Sequence, residues 1–252
     1  MASGARRSGI PPAQRGVRPY RAEEVFGLLA EVYGPLTWEP RMEPTAELVW
    51  TILSQHTSDL NAGRAFDALV ARYPTWEGVE AADTPELARV IAHGGLANQK
   101  APRIQTVLAA LRERTGGYGL SFLAAMPLAD AKAWLTSLPG VGPKTAGVVL
   151  SFALGMPAMA VDTHIHRVAQ RLRLIGPRVG ADNAHDLLER AMAPERVWAF
   201  HVYLITHGRR VCKAQRPLCH ACPLAARCPS RRALETPGDE RVPDLTTAAK
   251  PL

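Results

Sequence analysis

The stretch Ala129–Gly155, ADAKAWLTSLPGVGPKTAGVVLSFALG, decides the fold. Its two ends carry apolar residues at helical spacing, while Leu138-Pro139-Gly140-Val141-Gly142 in the middle interrupts that pattern, so it reads as helix, tight turn, helix. Gly140 and Gly142 permit positive φ and let backbone N–H groups face outward with no Cβ in the way. Together with the start of the next helix, such N–H groups make a phosphate-binding turn. A glycine-rich turn between helices is also an ordinary helix C-cap, and the turn alone leaves both readings open.

The residues that follow sharpen the choice. Lys144 falls in the first turn of the second helix, where the macrodipole disfavours a cation. A helix selected only for stability takes Asp or Glu there, whereas a lysine is biased towards the neutral amine that a nucleophile needs. Eighteen residues on, Val161-Asp162-Thr163-His164 places an aspartate ahead of the next helical stripe. Asp162 suits an N-cap, and its second oxygen leaves room for a catalytic role as well.

Outward from this hairpin the same texture continues. Segments such as AEEVFGLLAEVYG, TPELARVIAHGG, APRIQTVLAALRERTGG and ADNAHDLLERAM repeat apolar residues at helical spacing, broken by Gly, Pro, Asp or Asn. In AELVWTILS, Leu48, Val49, Ile52 and Leu53 form one stripe. Pro102 and Pro143 are expected at first-turn positions, where the missing N–H costs nothing. No run alternates as a strand does and no fixed-period repeat is present, so the fold class is all-α. Residues 1–19 read as a flexible basic arm and residues 233–252 as a flexible tail.

The four cysteines, Cys212, Cys219, Cys222 and Cys228, share one short window with spacing Cys-x6-Cys-x2-Cys-x5-Cys, which points to a shared metal centre. Structural zinc usually draws on two close pairs separated by a longer finger. A single tight loop suits an iron–sulfur cubane, one cysteine per iron, and from spacing alone both remain open. No Asp or Glu occurs between Arg196 and Leu234, while Arg209, Arg210, Lys213, Arg216, Arg227, Arg231 and Arg232 crowd the ligands. That surplus suits a loop lying against DNA phosphates, and a solvated basic face is the plainer alternative. The whole chain is basic as well, 30 Lys+Arg against 23 Asp+Glu in 252 residues for a net +7, which favours polyanions without specifying a fold. No apolar run is long enough to span a bilayer and the N-terminus lacks a secretory pattern, so a cytoplasmic, nucleoid-associated protein with no membrane partner is expected.

LPGVGPKTAGVVL, then AVDTHIHRV, then the four-cysteine loop in this spacing resemble the endonuclease III branch of the helix–hairpin–helix DNA glycosylases, from about Ala22 to Ser230. The resemblance implies two helical domains flanking a DNA-binding cleft. One is a six-helix barrel over 37–155 that ends in the hairpin; the other joins 20–36 to 156–232 and holds a 4Fe–4S cluster on the four cysteines. It implies Lys144 as the nucleophile and Asp162 as the catalytic aspartate of a bifunctional DNA glycosylase and AP lyase, which removes oxidised pyrimidines of the thymine glycol type and nicks the strand by β-elimination. The partner is double-stranded DNA with a damaged base or abasic site, bound by a monomer. DNA contacts fall on Gly140, Val141, Gly142, Thr145, His164, Arg210 and Lys213.

Two loops resemble the family's wedges. Leu53-Ser54-Gln55-His56-Thr57-Ser58-Asp59 lies where the family fills the gap left by the flipped base; the usual glutamine aligns with His56, and Gln55 is one place earlier. Either side chain suits the orphaned partner base, and an ordinary helix-surface histidine is the plainer reading of His56. Gly95-Leu96-Ala97-Asn98-Gln99-Lys100 resembles the second intercalating loop, with Leu96 as its apolar wedge. Thr136 replaces a glutamate of the best-known members and Pro143 a basic residue, neither touching the two catalytic positions. The alternative activity is a mismatch thymine or uracil glycosylase with weak lyase activity.

Overall fold

The computed structural model describes residues 18–236, 238–243 and 245. Among these the regular structure is entirely helical: α1 (Ala22–Tyr33), α2 (Pro44–Ser54), α3 (Asp59–Arg72), α4 (Trp76–Ala81), α5 (Thr84–Val90), α6 (Ala97–Thr115), α7 (Leu128–Thr136), α8 (Pro143–Val148), α9 (Thr163–Leu172), α10 (Ala181–Arg190), α11 (Val197–Arg210) and α12 (Arg231–Leu234). The all-α expectation is met. The described residues form two compact units, one over Trp38–Ala160 and the other joining the described residues up to Thr37 to those from Val161 onward.

The unit over Trp38–Ala160 contains α2–α8, and its helix starts are written in the sequence. Glu43, Ser58, Thr75 and Asp83 each accept a hydrogen bond from a first-turn N–H of α2, α3, α4 and α5. Each such cap stabilises by about 1 kcal/mol. The stripe Leu48, Val49, Ile52 and Leu53 is fully buried and packs with Leu69, Ile104, Leu108, Leu135 and Leu150 in one core. Burial at roughly 1.5–3 kcal/mol for each large aliphatic side chain makes this core the main source of the unit's stability.

Two local expectations are corrected. Pro102 lies inside α6, whose first residue is Ala97, and not in a first turn. The helix starts early because Leu96 adopts a left-handed conformation (φ 49°) and because the Lys100 side chain is anchored in the interior. Only Gly140 of the hairpin pair has positive φ (69°); Gly142 is extended at φ −95° and serves as the N-cap residue of α8. After α8 the chain widens into a π-helical turn, Val149–Ala153, and the indole N–H of Trp38 donates to Ser151 O at 2.8 Å.

In the other unit α1 packs on α11 through Phe26 and Tyr203, whose ring centroids lie 5.4 Å apart. Close approach of α9 to α11 depends on Gly208, where a Cβ would sit 2.9 Å from His164 Cβ. Residues 1–17 of the expected basic arm lie outside the described residues. Of the expected flexible tail, Ala233 and Leu234 belong to α12, and Arg241 bonds back to the cysteine loop, its carbonyl 2.8 Å from His220 Nε2 and its guanidinium donating to Arg216 O.

Candidate catalytic and nucleic-acid-binding site

The hairpin turn joins α7 to α8 in the unit over Trp38–Ala160. Leu138 and Val141 are buried and pin the turn to the core, leaving Gly140 and Lys144 exposed. No side chain caps α8, and Pro143 occupies its first turn, so the helix start offers backbone donors with no internal claimant. Thr145 is buried beneath it. The positive φ of Gly140 coincides with contact from Arg103, whose guanidinium donates to Gly140 O; a Cβ here would lie 2.6 Å from Arg103 Nε. Gly140→Ala is therefore expected to destabilise the protein by roughly 1–2 kcal/mol from the left-handed backbone alone. Denaturant unfolding that leaves the midpoint unchanged would rule this out.

The two wedge-like segments also belong to this unit. α2 ends at Ser54, so His56 is not a helix-surface residue: it sits in the turn before α3 at φ 55° and is exposed. Leu96, 48% exposed, occupies the other left-handed position. Left-handed conformations cost bulky residues free energy and persist where surrounding structure imposes them. Gln55, half-buried, accepts a hydrogen bond from Arg103 Nη1 at 2.8 Å. Thr136 turns back on its own helix, donating to Lys132 O.

Asp162 belongs to the other unit. It is half-buried, and its Oδ1 accepts the Ile165 N–H at 2.7 Å as the N-cap of α9. One carboxylate oxygen is thereby fixed in orientation. In the first turn of α9 His164 Nδ1 lies 3.1 Å from Arg167 Nη2. Arg210 is half-buried with its guanidinium 5.9 Å from the Tyr33 ring, and Lys213 is exposed.

All four cysteines line one pocket, whose walls include Val168, Leu172, Val211 and Leu218. Among the described residues no three His, Cys, Asp or Glu side chains converge as a single-ion site does. Burial pushes the Cys219 thiol up to about 11 and raises Cys222 and Cys228 as well. Four thiolates in so apolar a space need a cationic centre, which is the donor chemistry of a bound metal group. Arg171 lies against the ligands, 3.4 Å from Cys212 Sγ, and also donates to Lys213 O and Ala214 O.

Sequence reasoning missed the residues behind the cysteines. His207 is buried, and burial lowers its pKa to about 4, so the ring is neutral. Its Nδ1 lies 3.2 Å from Tyr33 OH and its Nε2 3.5 Å from Cys222 Sγ. Burial raises the Tyr33 phenol, which stays protonated and donates to Nδ1, leaving the Nε2–H to face the sulfur. The only hint was a histidine five residues ahead of the first cysteine. Arg227 and Arg231, read as part of a DNA-facing surplus, are paired with Glu24 and Glu235. Arg227 holds the Glu24 carboxyl down at about 2, so that pair stays ionised at neutral pH.

Comparison with known proteins gives a consistent result. Residues 49–194 match the family model described as HhH-GPD superfamily base excision DNA repair protein. The chain is 35% identical over 187 residues to endonuclease III of Thermotoga maritima, covering 74% of this chain and 83% of that protein. Against endonuclease III of Synechocystis the figures are 34% over 216 residues, covering 84% and 94%. Among solved structures, a trapped endonuclease III–DNA covalent intermediate in an estranged-adenine complex superposes with a TM-score of 0.74 at 31% identity, covering 84% of this chain and 95% of that one.

Proposed function

The chain belongs to the endonuclease III family within the HhH-GPD superfamily of base excision DNA repair proteins; it is a DNA-binding glycosylase and AP lyase, and we propose that it acts on oxidised pyrimidines with Lys144 as nucleophile and Asp162 as catalytic carboxylate. The observation that carries the residue assignment is Lys144 itself: a solvent-exposed amine in the first turn of a helix that no side chain caps. Nothing in the packing accounts for a cation at that place.

In this reading the damaged nucleotide leaves the stack, because its C1′ is out of reach inside the duplex. His56 or Gln55 and Leu96 occupy the vacated space, while the backbone of Gly140, Val141, Gly142 and Thr145, together with His164, Arg210 and Lys213, contacts phosphates. Asp162 stabilises positive charge on the sugar as the C1′–N bond breaks and takes a proton from Lys144. The Lys144 amine bonds to C1′ as the base departs with the C1′–N electron pair and is protonated; the C1′–O4′ bond then opens, O4′ taking a proton given up by the lysine nitrogen, and a Schiff base results. Loss of the C2′ proton then expels the 3′-phosphate, and hydrolysis frees the enzyme from the nicked strand.

Cys212, Cys219, Cys222 and Cys228 would hold a 4Fe–4S cluster in this reading, which is supported by all four cysteines lining one pocket. Bound there, the cluster gives the basic loop a rigid core, with the His207 N–H directed at the Cys222 sulfur. No helix among the described residues is long and apolar enough to cross a membrane.

The test is to incubate the purified protein with a thymine-glycol duplex and borohydride. The expected result is a covalent protein–DNA adduct from a brown protein, with a thymine–guanine mismatch duplex giving far less. A colourless preparation overturns the cluster assignment, and preference for the mismatch overturns the lesion assignment.

A further inference from the structure

Helix α6 carries two cations, one turn apart, that reach the turns assigned above to DNA. Lys100 is buried, and its Nζ donates to Leu53 O at 2.7 Å and to Gly94 O at 2.7 Å. These carbonyls lie in the last turn of α2 and at the end of the short 3₁₀ turn Ala92–Gly94, a few residues ahead of the left-handed wedge residues His56 and Leu96. Arg103 donates from Nη1 to Gln55 Oε1 at 2.8 Å and from Nη2 to Gly140 O. One helix face thus touches the His56 turn twice, the Leu96 turn once and the hairpin turn once.

From this geometry we propose that Lys100 and Arg103 are positioning residues that hold both wedge turns and the hairpin in one frame, and that Gln55 belongs to this frame, leaving His56 as the side chain that meets the orphaned base. Gln55 spends its carbonyl oxygen on Arg103 and is half-buried, whereas His56 is exposed on a backbone already bent outward. Wedge insertion needs rigid turns because unstacking a base is uphill and loose loops lose part of that work to their own ordering. The two carbonyls held by Lys100 terminate helical segments, where a cation is favoured by the dipole and orphan acceptors need a partner.

The inference rests on the proposal that these turns enter DNA, and the experiment separates the two. A duplex carrying thymine glycol opposite 2-aminopurine reports unstacking of the partner base by a fluorescence rise. Wild type is expected to give the rise; Arg103→Met to slow it about tenfold; Arg103→Lys, which keeps the charge but reaches one turn, to fall between them. Gln55→Glu keeps an acceptor for Arg103 and removes the amide donor, and is expected to alter the ranking of opposite bases in turnover much less than His56→Ala does. His56→Ala is expected to flatten that ranking. A ranking altered by Gln55→Glu as much as by His56→Ala, or wild-type kinetics in Arg103→Met and Arg103→Lys, overturns the frame. Wild type that shows neither a fluorescence rise nor a borohydride adduct overturns the enzymatic reading beneath it.

Discussion

Lys144→Ala is expected to abolish the borohydride adduct and to cut strand nicking by about 10³-fold or more, the scale on which loss of a covalent nucleophile acts. Its fold should survive intact. Lys144 is exposed, alanine is the better helix former, and removing a cation from a helix start is neutral to favourable by about 0.3–1 kcal/mol. The companion variant separates chemistry from capping at the second position. Asp162→Asn retains an oxygen to accept the Ile165 N–H, so α9 keeps its cap while the negative charge is gone. Turnover should fall by about 10²–10⁴-fold with an unchanged melting temperature. Asp162→Ala should lose the same activity and a further ~1 kcal/mol of stability. Quantifying adduct by gel, turnover by single-turnover kinetics and stability by thermal unfolding checks all three. Persistent adduct in Lys144→Ala removes that residue from its role.

Cys222→Ser is expected to yield colourless protein whose loop from Cys212 to Cys228 is cut readily by trypsin. That loop has only two short 3₁₀ turns of regular structure, Cys219–Ala221 and Ala225–Arg227, and is otherwise tied down by side chains such as Arg171 and Arg241. On the proposed assignment the loop's order would draw on the bound group, whose binding free energy is in effect folding free energy for the segment, of order 10 kcal/mol in structural metal sites. Cys222 is the informative ligand because its sulfur also faces His207, so His207→Phe should keep the fold yet release metal faster on chelator challenge. Visible absorption, iron content and mass-mapped proteolysis measure the effect. Retention of iron and of protease resistance in Cys222→Ser sinks the assignment.

Local chemistry made much of the molecule legible from its residues alone. Helical stripes such as Leu48, Val49, Ile52 and Leu53 are buried as their spacing demands, because a 3.6-residue period leaves one face for the core. The hairpin, Asp162 as a cap and the clustering of the cysteines follow from short-range rules of turn, cap and ligand. Pro102 was misplaced because an anchoring lysine two residues earlier extends α6 towards its N-terminus, which no local preference reveals.

What only the tertiary structure decided are the partnerships between residues far apart in the chain. Arg227, which looked like a free cation in a loop without carboxylates, meets Glu24 from α1. Arg103 meets Gln55 and Gly140, and Lys100 meets Leu53 and Gly94, so a helix between the wedge turns and the hairpin sets their spacing. A sequence encodes periodicity and turn chemistry within a few residues, but which charges end up adjacent depends on how packed helices bring distant positions together. Net charge therefore belonged to the sequence, and its distribution to the fold.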